Sequence, residues 1–155
     1  MVLHYSRRDP LTASPPPLGQ HCLLELYGCP AERLNDVTLI RRSLEVAAHK
    51  ANSTLLNDVY YRFEPQGVTA LALLAESHIS IHTWPERGYA AVDVFTCGDR
   101  TTPRQACHYL VEALQAEQHS LQVVVRGILA HSEPIGPQPR GPQLSPMTPK
   151  PCRES

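Results

Sequence analysis

Val68 to Cys97, V-T-A-L-A-L-L-A-E-S-H-I-S-I-H-T-W-P-E-R-G-Y-A-A-V-D-V-F-T-C, holds three strand-like runs and most of the reactive side chains. Val68 to Ala75 is apolar on both parities, which suits a central strand covered on both faces. His78 to Thr83 and Tyr89 to Thr96 read as two further strands, joined through Trp84-Pro85-Glu86-Arg87-Gly88. Upstream, Ser53 to Glu64 places Leu55, Val59, Tyr61 and Phe63 on one parity. The turn Pro65-Gln66-Gly67 then makes a hairpin with the Val68 strand.

On either side of these strands the period changes. Val37, Ile40, Leu44, Ala47 and Ala51 recur three or four apart, which predicts a helix over Asp36 to Ala51 capped by Asn35 or Asp36. Gln20 to Tyr27 is a first strand closed by Gly28, Cys29 and Pro30. Beyond Cys97, Thr102 as N-cap, Pro103 at the first helical position and Gln105 in a capping box announce a second helix. Its buried stripe is Ala106, Leu110, Ala113 and Leu114. Leu121 to Ile128 is a last strand. The order β-α-β-β-β-β-α-β implies an α+β, two-layer sandwich, with two helices on one face of a largely antiparallel sheet. If the other face is apolar too, a second subunit must cover it.

The 155 residues suffice for one domain with a real core. Of fifteen prolines, five fall within residues 10 to 30 and seven between Pro134 and Pro151. Proline thus marks the ends: residues 1–18 and 132–155 read as flexible tails around a folded unit at 19–131. Fourteen basic and fifteen acidic residues nearly cancel, and no basic block suggests nucleic acid as a partner. Residues 1–20 lack the apolar run of a secretory signal, and no stretch is long enough to span a bilayer. A cytoplasmic protein is expected. Five cysteines without a C-x-x-C pair, Cys22, Cys29, Cys97, Cys107 and Cys152, read as reduced thiols.

Three chemistries compete for the central stretch. His78 and His82 would chelate a metal on a helix, but on a strand they stand about 13 Å apart, and no standard zinc spacing is present. No metal is expected. A serine hydrolase with Ser77 as nucleophile and His82 as base lacks the G-x-S-x-G elbow, and either Asp93 or Asp99 could orient the histidine. Residue by residue, a structural role also serves: Ser77 ends a turn, the histidines alternate along a half-buried strand, and Cys97 fills a core position.

Taken together, E-S-H-I-S-I-H-T-W-P-E followed by G-Y-A-A-V-D-V-F-T-C-G resembles the self-processing signature of the prokaryotic S-adenosylmethionine decarboxylases, short pyruvoyl-dependent proenzymes. The likeness spans about residues 19 to 128. It requires a serine, a histidine five positions later and a cysteine twenty positions later. By this resemblance Ser77 attacks the Glu76 carbonyl and converts the Glu76-Ser77 amide to an ester. His82 is the base for the elimination that releases Glu76, and position 77 becomes a pyruvoyl cofactor that forms a Schiff base with S-adenosylmethionine. Cys97 matches the proton donor of the decarboxylation, which supplies the aminopropyl donor for spermidine. Thr69 stands where the family usually has a serine supporting the acyl shift; it keeps a hydroxyl but adds a methyl that restricts its rotation. Phe63 matches the aromatic that stacks on adenine and Glu86 the carboxylate that holds ribose hydroxyls, while Trp84 reads equally as pocket wall or packing.

The resemblance also implies a dimer with sheets face to face, in which Ser77 and Cys97 of one protomer meet Phe63, Thr69, His82 and Glu86 of the other. Two alternatives keep the fold. One is a pyruvoyl-dependent arginine or ornithine decarboxylase, and the other a binding protein that does not process itself.

Overall fold

A computed structural model describes residues 16–128. Six strands form one sheet: β1 (Gly19–Tyr27), β2 (Leu55–Arg62), β3 (Val68–Leu74), β4 (Ser77–Trp84), β5 (Tyr89–Cys97) and β6 (Gln118–Arg126). Their order is β2-β3-β4-β5-β1-β6, and every neighbouring pair is antiparallel. The helices are α1 (Ala31–Leu34), α2 (Val37–Lys50) and α3 (Pro103–Ala113), with a one-turn 3-10 helix at Pro85–Arg87. The α+β architecture expected from the sequence is therefore present. The tails expected at 1–18 and 132–155 lie outside the described residues except for residues 16–18, and there Leu18 already bonds through its backbone to Arg126 and Gly98.

Alternation along the strands builds the core. Leu24 and Leu26 of β1, Ala70 and Ala72 of β3, Ile79 and Ile81 of β4, and Val92 and Val94 of β5 are buried on one face. α2 and α3 cover them with Ile40, Leu44, Ala47, Ala106 and Leu110. The alanines on both sides let helix and sheet approach closely, so the layer is well packed. Asp36 caps α2, its carboxylate accepting from Leu39 N–H at 3.0 Å.

In four places the structure departs from the sequence reading. Val68 to Ala75 was expected to be covered on both faces, but β3 lies second from the sheet edge and helices cover only one side. Leu73 on the opposite parity is 48% exposed. In β2, a bulge between Leu55 and Asn57 breaks the single parity of Leu55, Val59, Tyr61 and Phe63. Leu55 pairs with Leu74, whose side is buried, whereas Val59 and Tyr61 pair with Leu71 and Thr69 and face outward.

The expected capping box also fails to form. Thr102 does sit at the N-cap, but its hydroxyl donates to Lys50 C=O at 2.9 Å and its N–H to Ala51 C=O at 2.8 Å. The unpaired carbonyls at the end of α2 thus capture the residue that would have capped α3. Finally, the sequence reading omitted α1 and the 3-10 turn. Buried Thr83 ties α1 to the sheet, donating to Leu34 C=O and accepting Val68 N–H, each at 2.8 Å.

Leu44 on the inner face of α2 is 1% exposed, so Leu44→Ala should cost roughly 2–5 kcal/mol. Asp36→Ala, which removes only the cap, should cost about 1 kcal/mol. Equilibrium denaturation of the two variants beside the parent measures both.

Candidate active site

The two ends of β4 carry two groups of the residues singled out above. At its start, Glu76 C=O accepts Cys97 N–H at 2.9 Å, one rung beyond the β4–β5 ladder. The Glu76 carboxylate is held from the opposite side by Thr54, whose N–H donates to Oε2 at 2.8 Å and whose hydroxyl donates to Oε1 at 3.3 Å. Ser77 follows with φ of +148°, a region that L-residues avoid. Holding a non-glycine residue there costs about 1–3 kcal/mol and requires firm anchoring on both sides. The Ser77 hydroxyl lies 3.1 Å from His78 Nδ1. Beside this group a cavity of about 360 Å³ is lined by Asn52, Glu76, Cys97, Asp99 and Arg100.

At the far end of β4, Thr69 and His82 face each other across the β3–β4 ladder, with Thr69 Oγ1 and His82 Nδ1 2.8 Å apart. The Thr69 hydroxyl donates to that nitrogen when the ring proton is on Nε2. Gln66 Nε2 donates to Glu86 Oε2 at 3.3 Å. The turn carrying Gln66 is fixed by Asn35, whose Oδ1 accepts Gly67 N–H at 3.0 Å. Phe63, Gln66, Thr69, His82, Trp84 and Glu86 line one cavity of about 380 Å³. Trp84 therefore belongs to the pocket wall, backed by Tyr89 at 5.2 Å between ring centroids.

Four residues expected to act together, Phe63, Thr69, His82 and Glu86, thus share a cavity, and Glu76 and Cys97 line another, with Ser77 next to Glu76 in the chain. Within one chain the groups do not meet. Ser77 and His82 lie five residues apart on an extended strand, roughly 17 Å. The hydrolase pairing of Ser77 with His82 has no geometric basis inside the chain, and Asp93 is instead engaged with His21 Nε2 at 2.9 Å. Among the described residues no three His, Cys, Asp or Glu side chains gather as a metal would require. No helix there is long and apolar enough to cross a membrane.

The cysteines divide by environment. Cys22, Cys29 and Cys107 are buried, whereas Cys97 is exposed beside its cavity, and all four are free. Burial pushes the Cys29 thiol up to about 11. A shared hydrogen bond with Cys22 and burial push Cys107 up as well. Cys29 and Cys107 therefore stay neutral, the same hydrogen bond from Cys107 lowers Cys22, and Cys97 is left as the accessible thiol among the described residues.

Sequence reasoning passed over Thr54, Gln66 and the Cys97 amide. Thr54 is twenty-two residues from Glu76, and only the β2–β3 pairing brings them together. The Cys97 amide is a backbone group that no side-chain pattern reports. Gln66 lay within an already recognised turn, three residues from Phe63, and that proximity was the available signal.

A family model described as S-adenosylmethionine decarboxylase matches residues 20–127. A relative from Prochlorococcus marinus (strain MIT 9313), named S-adenosylmethionine decarboxylase proenzyme, is 61% identical over 105 residues, covering 68% of this chain and 84% of its own. One of the same name from Caldicellulosiruptor saccharolyticus is 48% identical over 111 residues, covering 72% and 90%. The chain is also similar to the crystal structure of the adenosylmethionine decarboxylase from Aquifex aeolicus, with a TM-score of 0.70 and 44% identity over 77% of this chain and 99% of that one.

Tyr89, behind Trp84, donates its hydroxyl to Glu25. That bond, with burial, raises the phenol from 10.0 to about 12. Because the folded value is the higher one, the stabilisation is complete below pH of about 10 and is lost as pH rises through about 12. Absorbance titration of phenolate should show a transition near pH 12 that is missing from Tyr89→Phe.

Proposed function

The chain belongs to the S-adenosylmethionine decarboxylase family, and from that premise we propose that it cuts itself between Glu76 and Ser77 and then releases carbon dioxide from S-adenosylmethionine. The observation that carries the proposal is the Cys97 N–H held 2.9 Å from the Glu76 carbonyl oxygen, directly beside a strained Ser77.

In the first step the Ser77 hydroxyl adds to the Glu76 carbonyl carbon, and negative charge gathers on the oxygen that already accepts the Cys97 N–H. A preorganised donor at that point stabilises the developing oxyanion. Collapse breaks the C–N bond and leaves an ester between Glu76 and the Ser77 side chain, relieving the backbone strain. A base then removes the Ser77 Cα proton, Glu76 departs as a carboxylate, and water replaces the residual nitrogen as ammonia. His82 is our candidate for that base. Since His82 stands roughly 17 Å from Ser77 in its own chain, it must come from a second copy.

The open sheet face supports such a dimer. Val59, Tyr61 and Leu73 are 57%, 63% and 48% exposed there, and Thr69 and His82 share the face of Tyr61. Sheets meeting face to face would bury this surface and join Ser77 and Cys97 of one protomer to Phe63, Thr69, His82 and Glu86 of its partner. Thr69, hydrogen-bonded to His82, fixes the ring's orientation and would also support the acyl shift.

The Ser77 position fits a pyruvoyl group, since it offers a serine beside a polarised carbonyl and an accessible thiol. Such a group supplies an electrophilic ketone that takes up the substrate amine and draws electrons as carbon dioxide leaves. Around it, Phe63 and Trp84 offer ring faces to the adenine and the sulfonium. Glu86, steadied by Gln66, receives the ribose hydroxyls, and Cys97 Sγ holds a proton for the carbon that loses its carboxylate. The product would be the aminopropyl donor for spermidine. A cytoplasmic location is part of this reading, supported by the four free cysteines.

Intact mass spectrometry should find two chains, residues 1–76 and the chain beginning at position 77, whereas Ser77→Ala should give one. A parent protein that stays whole on long incubation refutes the self-cleavage. Carbon dioxide release should occur with S-adenosylmethionine and not with arginine or ornithine. Phe63→Ala should raise KM by roughly tenfold, the scale of one lost base-stacking contact, with a smaller change in kcat.

A further inference from the structure

The first proton transfer of self-cleavage has no acceptor in the scheme above, and the geometry points to His78. We propose that His78 takes the Ser77 hydroxyl proton as the acyl shift begins and returns it to the departing amide nitrogen. This inference rests on the self-cleavage reading.

A serine hydroxyl is a weak nucleophile near neutrality and needs a base within hydrogen-bond reach. His78 Nδ1, 3.1 Å from Ser77 Oγ, meets that requirement, and among the described residues it is the only side-chain partner of that hydroxyl. With the ring proton on Nε2, Nδ1 accepts. The ring is held by neighbours rather than left free. Phe95 of β5 meets it edge-on at 6.0 Å and His21 of β1 at 6.5 Å. His21 is itself fixed by Asp93, and Arg126 of β6 stands 3.2 Å from its Nδ1 and 5.3 Å from the Phe95 ring centre. His21, Asp93 and Arg126 are thus the titratable and charged groups facing His78 from the strands packed beside it.

The step balances without an outside reagent. The proton moves from Ser77 Oγ to His78 Nδ1 as the Oγ–C bond forms, and the Cys97 N–H holds the oxyanion. When the C–N bond breaks, the imidazolium delivers the same proton to the nitrogen, which becomes the free amine of residue 77. His78 begins and ends neutral. The two histidines then divide the labour, with His78 serving ester formation within the chain and His82 serving elimination afterwards.

Hydroxylamine, which splits esters and not amides, separates the two steps. His82→Ala should stall at the ester and be cut by hydroxylamine. His78→Ala and His78→Gln should cleave at least about a hundredfold more slowly, the lower range for a lost general base, and should stay whole in hydroxylamine. Free imidazole should restore cleavage of His78→Ala in proportion to its concentration. The melting temperatures of both His78 variants should stay within a few degrees of the parent's. If His78→Gln cleaves as fast as the parent, or hydroxylamine cuts it fully, the role of His78 is refuted and self-cleavage stands. If the parent itself never cleaves, the reading beneath the inference fails.

Discussion

The hydrogen bond from the Cys97 amide to the Glu76 carbonyl sets the geometry on which the site depends. It continues the β4–β5 ladder by one rung, so the register of Ser77 with Thr96 decides where it falls. A shift of one residue would turn every side chain of β4 to the other face, taking His82 away from Thr69 and Ile79 and Ile81 out of the core. Packing of the helices against the sheet therefore fixes the register, and the register aims an amide at a carbonyl. Core packing and chemistry here rest on the same ladder.

Thr54 completes that arrangement from the other side. With the carbonyl held by β5 and the carboxylate held at the entrance to β2, Glu76 cannot turn to relax its neighbour. The torsion between the two strands is left at Ser77, where φ is +148°. Strain of this kind persists only where the surroundings over-determine it. It is concentrated at the bond we propose is broken.

Much of this was legible in the sequence because it is local. Apolar periodicity marked α2 and α3, alternation marked the strands, and the segment around Ser77, His82 and Cys97 carried the resemblance to the family that the chain belongs to. What escaped depends on partners distant in the chain. Thr102 carries the right signal for a capping box, yet the end of α2 takes its hydroxyl. Leu55 and Val59 share a parity in the sequence, but a bulge sends them to opposite faces. Reading β3 as covered on both sides was sound for its composition. The cover on the second side is not supplied by this chain. Nor could spacing say that the Ser77 hydroxyl meets His78 Nδ1, because that depends on how the two side chains turn at the start of the strand.

The strand order also governs what a broken chain would do. Residues before the Glu76–Ser77 bond supply β1, β2 and β3, and residues after it supply β4, β5 and β6. In the sheet these do not separate into two blocks. β1 is threaded between β5 and β6, and β3 borders β4, so the two pieces share three ladders. One piece cannot leave without unzipping a strand on both its edges. Interlaced in this way, two separate polypeptides would behave as one folded body, with covalent continuity at the centre of the sheet dispensable to its shape.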